Sequence, residues 1–167
     1  MTKGERISRF VEELEGNAPV IAGVIAASDI ATHPCYRGFF RCWNEQRYYE
    51  AHDVLEHLWL STTSSDSDYF KGLIQAAGAF VHLQKQFEHP THPKHGRRLA
   101  PAVRLFRLAE KNLTPFGPTR HGLDVAGLLQ LLHRNAEAIA DSGSTQNPWS
   151  PDTAPRLHLL ESAPQTP

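Results

Sequence analysis

The segment 68–87, DYFKGLIQAAGAFVHLQKQF, constrains the fold of this chain more than any other part of it. It lacks proline and is nearly all apolar, which is typical of a helix that its neighbours enclose. Lys71, Gln75 and His82 are the polar exceptions, and at about 100° per residue they fall within roughly 40° of one another, beside Gly78. The sequence therefore predicts a central helix with one polar stripe. Small residues next to the stripe either admit another helix or leave room for a ligand.

A second helix is predicted directly before the central one, over 48–60. Its apolar residues gather on one face, whereas Glu50, Asp53 and His57 fall together on the opposite, solvated side. His52 and Glu56 stand one turn apart on the flank of the apolar face. Burying a Lys, Gln or His without a partner costs about a few kcal/mol, so the polar stripe needs a polar neighbour. We expect the edge formed by His52 and Glu56 to be that neighbour, with a cavity between the two helices.

The same residues suggest chemistry. An imidazole and a carboxylate at i, i+4 share a proton or bind one metal ion. One hypothesis is that His52, Glu56 and His82 hold a divalent cation, and zinc, manganese and iron all suit these ligand types. The other is a buried hydrogen-bond network of the same residues that fixes the register of the two helices.

The motif resembles a known family. Asn44, the run Tyr49-Glu50-Ala51-His52-Asp53-x-x-Glu56-x-x-Trp59, the run Phe70-Lys71-Gly72-Leu73-Ile74-Gln75 and His82 are similar to the domain of unknown function 309 family. That family's signature is EAHE-x-x-E-x-x-W followed by KGLIQ, and Asp53 stands where many members have Glu. The resemblance covers roughly residues 33–113, and it implies an all-helical bundle and a metal-dependent hydrolase.

Two functions from different classes follow. In the first, a hydrolase of a small substrate, Glu50 or Asp53 serves as general base while Lys71 and Gln75 orient the substrate. The helical projection places Glu50 about 160° from His52, so those two cannot hold one ion. In the second, the chain is a non-catalytic helical module that binds a small ligand or a protein. A second copy of the chain is one candidate for that protein.

Composition narrows the class of protein. The chain has 167 residues and a net charge of −1, which indicates neither a nucleic-acid partner nor an anionic membrane surface. The apolar run 19–27 is shorter than the roughly 20 residues that span a membrane. Cys35 and Cys42 are seven apart, about 10 Å along a helix and too far for a disulfide, so we expect reduced core cysteines in a cytoplasmic protein.

Periodicity predicts an all-α, single-domain bundle of about five to seven helices over residues 1–145, with the signature core at 33–113. No segment alternates convincingly as a strand. The Pro- and Ser-rich tail 146–167 either lies over the bundle, anchored by Trp149 and 157–160, or is disordered. The predicted helices are Glu5–Glu15, Val20–Ser28, Tyr36–Trp43, Tyr48–Leu60, Asp68–Phe87, Arg98–Leu113 and Leu123–Ala140.

Several polar residues have simpler explanations. Asn44 precedes the motif helix, where it can act as a cap, and Asp66 or Ser67 can cap the next helix. Trp59 ends an apolar stripe, so we interpret it as a core residue whose indole N–H donates to a carbonyl. The tract 88–96 has three His and two Pro, and a solvated loop is favoured there over a metal site.

Overall fold

The computed structural model describes residues 30–160, and five α-helices account for most of that range. This confirms the all-α prediction. The helices predicted over 5–15 and 20–28, and the last residues of the tail, lie outside the described residues. The helices are α1 Pro34–Asn44, α2 Tyr48–Leu60, α3 Asp66–Glu88, α4 Leu99–Leu113 and α5 Val125–Asp141, with short 3-10 turns at Ile30–Thr32, His95–Arg97 and Thr114–Phe116.

Local sequence explains where the helices begin. Pro34 stands at the first position of α1, where its missing N–H has no helical acceptor, and the His33 side chain accepts from the Cys35 amide at 3.1 Å. The Asp124 carboxylate accepts from the Gly127 amide at 2.9 Å and so caps α5.

Helix α3 lies between α2 and α4, as its apolar sequence predicts, and it buries eleven residues. Gln84 donates to the Gln46 carbonyl, while Gly78, nearer the start of α3, lies against His52. The chain directions of α2 and α3 are therefore opposite. Large aromatic and aliphatic side chains fill the core, among them Trp43, Tyr48, Phe80 and Phe106.

A hairpin of two short strands, each of two residues, precedes α5. Strands β1 Thr119–Arg120 and β2 Leu123–Asp124 pair antiparallel. The turn between them places His121 at φ 46° and Gly122 at φ 81°, a left-handed conformation that suits glycine. Strands this short leave no alternating pattern, and the helix predicted over Leu123–Ala140 therefore began two residues too early, on β2.

The tail lies over the bundle as far as Leu160, so the first of the two alternatives holds for its described part. Trp149 is buried and donates its indole N–H to the Tyr48 hydroxyl at 3.0 Å. The Trp43 indole donates to the Pro155 carbonyl at 3.0 Å.

Asn44 is not a cap, and that interpretation is wrong. It is the last residue of α1, and α2 begins after Arg47 without a side-chain cap. The Asn44 amide instead donates to the Leu157 carbonyl at 2.8 Å and accepts from the Leu157 N–H at 2.7 Å. Asn44 therefore fastens the tail, a role that its position before the motif does not reveal.

Both cysteines are buried and free of disulfides, as predicted. No helix in the described part of the chain is long and apolar enough to cross a bilayer.

Candidate metal site

Three ligand-type side chains meet at one edge of α2. The His52 Nδ1 lies 2.9 Å from Asp53 Oδ1 and 3.5 Å from Glu56 Oε2. Each of the three residues offers one ligand atom, and these atoms all lie within 4.8 Å of one another. The side chains of His52 and Glu56 are 33% and 41% exposed, so solvent reaches the edge. The predicted pair is thus joined by a third group.

Asp53 differs from expectation. Helical projection placed it with Glu50 and His57 on the solvated side, but its side chain is only 12% exposed and contacts His52. Successive residues point about 100° apart, and the flexible carboxylate covers that gap. His57 is exposed, as predicted. Burial raises the pKa of the Cys42 thiol on α1 to about 12, and the negative charge of Glu50 adds to that rise, while a catalytic role of Glu50 stays a prediction.

The polar stripe of α3 has its partners on and beside α4. Gln75 accepts from the Asn112 side-chain amide at 2.7 Å, and His82 Nδ1 accepts from Arg98 Nη1 at 3.0 Å. Lys71 is exposed to solvent. The structure therefore brings neither Gln75 nor His82 to the His52 and Glu56 edge by hydrogen bonding, and the ligand role of His82 stays a prediction.

The small residues of α3 admit α4 rather than a ligand. A Cβ added at Gly78 would lie 3.3 Å from Leu105 Cδ1 and 3.9 Å from His52 Cδ2. One added at Gly72 would lie 2.7 Å from Leu113 Cγ. The space in which we expected a cavity is filled by these side chains. A pocket of about 400 Å³ lies elsewhere, between α1, the 3-10 turn at 30–32 and the tail at 157–160.

Trp59 packs against the core, as predicted, but its indole N–H is buried without a hydrogen-bond partner, so that half of the prediction is wrong. Leaving a buried donor unsatisfied costs about 1–3 kcal/mol. Trp59 follows Glu56 by three residues, one helical turn along the same edge of α2. That edge therefore carries a donor that no described group satisfies.

A second polar cluster has no signature in the sequence. Among residues 30–160, Asp66 is the only polar or charged residue that is buried. Its Oδ1 accepts from Arg120 Nε at 3.0 Å, Arg120 Nη2 at 2.7 Å and His121 Nε2 at 2.9 Å. Burial acts to raise the pKa of Asp66, but the hydrogen bonds from Arg120 and His121 outweigh it and hold that pKa below its usual value. The predicted role of Asp66 as a cap is replaced by this ion pair.

Two tyrosines complete that cluster. The hydroxyls of Tyr36 and Tyr69 are 2.7 Å apart, and they also lie 3.2 Å and 3.3 Å from the carbonyls of His121 and Arg120. Burial raises the pKa of both phenols, so neither supplies a phenolate near neutral pH. The cluster joins α1, α3 and the hairpin, and its residues are too far apart in sequence for any motif to indicate it.

Comparison with known proteins supports the resemblance in part. Residues 36–90 match the family described as Domain of unknown function (DUF309). The matched segment spans most of α1 and all of α2 and α3, and so contains His52, Asp53 and Glu56 together with the polar stripe. It is less than half of the chain, and the description names no activity. No curated protein and no solved structure matches the chain.

Proposed function

We propose that the edge of α2 formed by His52, Asp53 and Glu56 binds a divalent metal ion and that the protein is a metal-dependent hydrolase of a small substrate. The observation that carries the proposal is the convergence of one imidazole and two carboxylates on a half-exposed surface. Zinc, manganese and iron are compatible with this donor set.

The spacing of the donors fits an ion. Nitrogen and oxygen ligands bind zinc at about 2.0–2.2 Å, so two ligands of one ion lie at most about 4.4 Å apart. The separations of 2.9 Å and 3.5 Å from His52 Nδ1 fall inside that limit, and all three ligand atoms lie within 4.8 Å of one another, which is close to it. Small side-chain rotations therefore suffice to hold an ion, and three protein ligands leave a position open for water or substrate. In this proposal Asp53 takes the place that the sequence hypothesis gave to His82.

A bound ion of this type supplies a water molecule of lowered pKa. Of the two candidate general bases, Asp53 contacts His52 directly. Asp53 therefore serves either as the third ligand or as the group that accepts a proton. Lys71, exposed on α3, offers a positive charge for substrate, whereas Gln75 is engaged with Asn112 of α4 and its substrate-orienting role stays a prediction.

Metal analysis tests the proposal. The protein is purified without a His-tag, reconstituted with zinc, manganese or iron, and compared with His52→Ala and with His57→Ala, which removes an exposed imidazole from the same helix. We expect one ion per chain in the unaltered protein and in His57→Ala, and none in His52→Ala. Equal metal contents in all three preparations would rule the site out. Asp53→Asn distinguishes the two roles proposed for Asp53. The variant should lose the ion if Asp53 is a ligand and keep it if Asp53 only accepts a proton.

One observation favours the non-catalytic alternative. Gln75, His82 and His52 each already have a protein partner, as members of a structural network require. In that case His52→Ala lowers the free energy of unfolding by about 1–3 kcal/mol without any dependence on metal. A chelator then changes nothing, whereas in the metal case it reproduces the effect of the mutation.

A further inference from the structure

The corner between α3 and α4 carries an excess of positively charged side chains. Residues 82–104 include five basic side chains and a single acid, Glu88, although the whole chain has a net charge of −1. Within the described range, none of the five forms an ion pair with a carboxylate, whereas arginines elsewhere do. The five are Lys85, Lys94, Arg97, Arg98 and Arg104.

Arg98 is held in place by two imidazoles instead of a carboxylate. Its Nε donates to His95 Nδ1 at 2.8 Å, and its Nη1 donates to His82 Nδ1 at 3.0 Å. A guanidinium has only donors, so both histidines must accept through Nδ1. His92 Nδ1 likewise accepts from the backbone amides of Lys94 and His95, each at 3.1 Å.

These hydrogen bonds determine which ring nitrogen of each histidine carries the proton. An imidazole that accepts at Nδ1 carries its proton on Nε2 when neutral, so His82, His92 and His95 each retain an N–H donor. The rings of His92 and His95 lie 4.5 Å apart between centroids. Binding a metal ion requires an unprotonated ring nitrogen, and none of the three rings offers one while its hydrogen bond at Nδ1 is kept. A cluster made only of donors suits an oxyanion.

The electrostatic setting points the same way. Arg98 immediately precedes α4, whose first turn contains no acidic residue, and cations at this positive end of a helix raise the energy of the fold. Burial, followed by the charges of Arg98 and Arg104, lowers the pKa of His82. Burial and Arg98 similarly lower the pKa of His95. An anion bound here offsets positive charge that forms no ion pair with a carboxylate among residues 30–160.

We propose that this corner binds a small phosphate-bearing anion through the remaining N–H groups of Arg98 and the Nε2–H groups of His82, His92 and His95. Phosphate oxygens accept several charge-assisted hydrogen bonds at once, and arginine forms the strongest of them. A small anion fits better than a nucleic acid, which is bound by cations spread along its backbone rather than gathered at one corner.

Calorimetric titration with inorganic phosphate and pyrophosphate tests the site, with a chelator present so that the result does not depend on the α2 edge. Arg98→Gln is compared with Arg134→Gln, which removes the same charge from an exposed position of α5. Because the substitution removes the guanidinium and its charge-assisted hydrogen bonds to phosphate, we expect Arg98→Gln to weaken binding at least about tenfold and Arg134→Gln to leave it nearly unchanged.

A second measurement keeps the proposal testable if Arg98→Gln fails to fold. In the unaltered protein, phosphate should shift the ring resonances of His82, His92 and His95 while that of His57 on α2 stays constant. The proposal is overturned if phosphate does not bind saturably at millimolar concentrations, if Arg98→Gln binds as well as the unaltered protein, or if only vesicles of phosphatidylglycerol or a single-stranded oligonucleotide bind.

Discussion

Arg120 donates two hydrogen bonds, from Nε at 3.0 Å and from Nη2 at 2.7 Å, to the same carboxylate oxygen of Asp66. The two residues are 54 positions apart, one at the start of α3 and the other in the hairpin before α5. His121 adds a third bond to that oxygen at 2.9 Å. The hairpin is therefore held on the bundle by this buried acid together with the hydroxyls of Tyr36 and Tyr69.

Asp66→Asn should lower the free energy of unfolding by about 2–3 kcal/mol, because the amide cannot replace the negative charge that Arg120 and His121 face. Urea denaturation measures the change. Asp68→Asn is the matched control, since it removes an exposed acid from the same turn of α3 and should have little effect. Similar losses in the two variants would show that the ion pair does not stabilise the fold.

The pH dependence of that loss follows from the lowered pKa of Asp66, whose ordinary value is 3.8. A carboxyl with a depressed pKa in the folded state stabilises the protein fully above its ordinary pKa and loses that contribution as pH falls through the folded value. The difference in unfolding free energy between the unaltered protein and Asp66→Asn should therefore shrink below about pH 4. A difference that stays constant from pH 5 to about pH 2 would contradict this account.

The sequence predicted the features that are set by residues close together in the chain. The bounds of α2, Tyr48–Leu60, were predicted without error because apolar periodicity within thirteen residues sets them. The convergence of His52 and Glu56 followed from helical spacing alone. The partners in contacts between distant segments were not predictable: the sequence indicated that 157–160 could anchor the tail, but not that Leu157 meets Asn44 across 113 positions. Asp53 was misplaced for a different reason, since projection gives the direction of a Cβ and not where a flexible carboxylate ends.

Trp149 tests whether the tail belongs to the folded unit. It is 4% exposed, and its ring also meets Phe87 at 5.5 Å between centroids. Trp149→Ala should lower the free energy of unfolding by about 3–5 kcal/mol, as expected for a buried aromatic. Trp149→Phe, which keeps most of the buried area but not the bond to Tyr48, should cost about 1 kcal/mol. If the unaltered protein and both variants unfold at the same denaturant concentration, Trp149 does not tie the tail to the folded unit.

Metal binding at the α2 edge should appear as a thermal shift independent of any activity. An ion present at about 100 times its dissociation constant adds about 2.7 kcal/mol, which for a chain of this length raises the melting temperature by about 5–10 °C. The shift should be reversed by a chelator, retained in His57→Ala and absent in His52→Ala. A shift of equal size in His52→Ala would place the ion elsewhere.

Replacing glycine by alanine should have opposite effects on stability at Gly72 and at Gly78, although both residues lie in α3. At Gly72, a Cβ would lie 2.7 Å from Leu113 Cγ and 2.9 Å from Leu113 Cδ2, and Leu113 is fully buried and cannot move aside. Gly72→Ala should therefore force α3 and α4 apart and cost about 1–3 kcal/mol.

At Gly78 the nearest atom is the terminal Cδ1 of the partly buried Leu105, at 3.3 Å, which a small rotation clears. Gly78→Ala should be neutral or stabilising by up to about 1 kcal/mol, because alanine favours the helix. Urea denaturation measures the free energy of unfolding of the two variants and of the unaltered protein. If Gly72→Ala were the more stable of the two, the small residues of α3 would not be there to admit α4, and an open ligand space along the stripe would again have support.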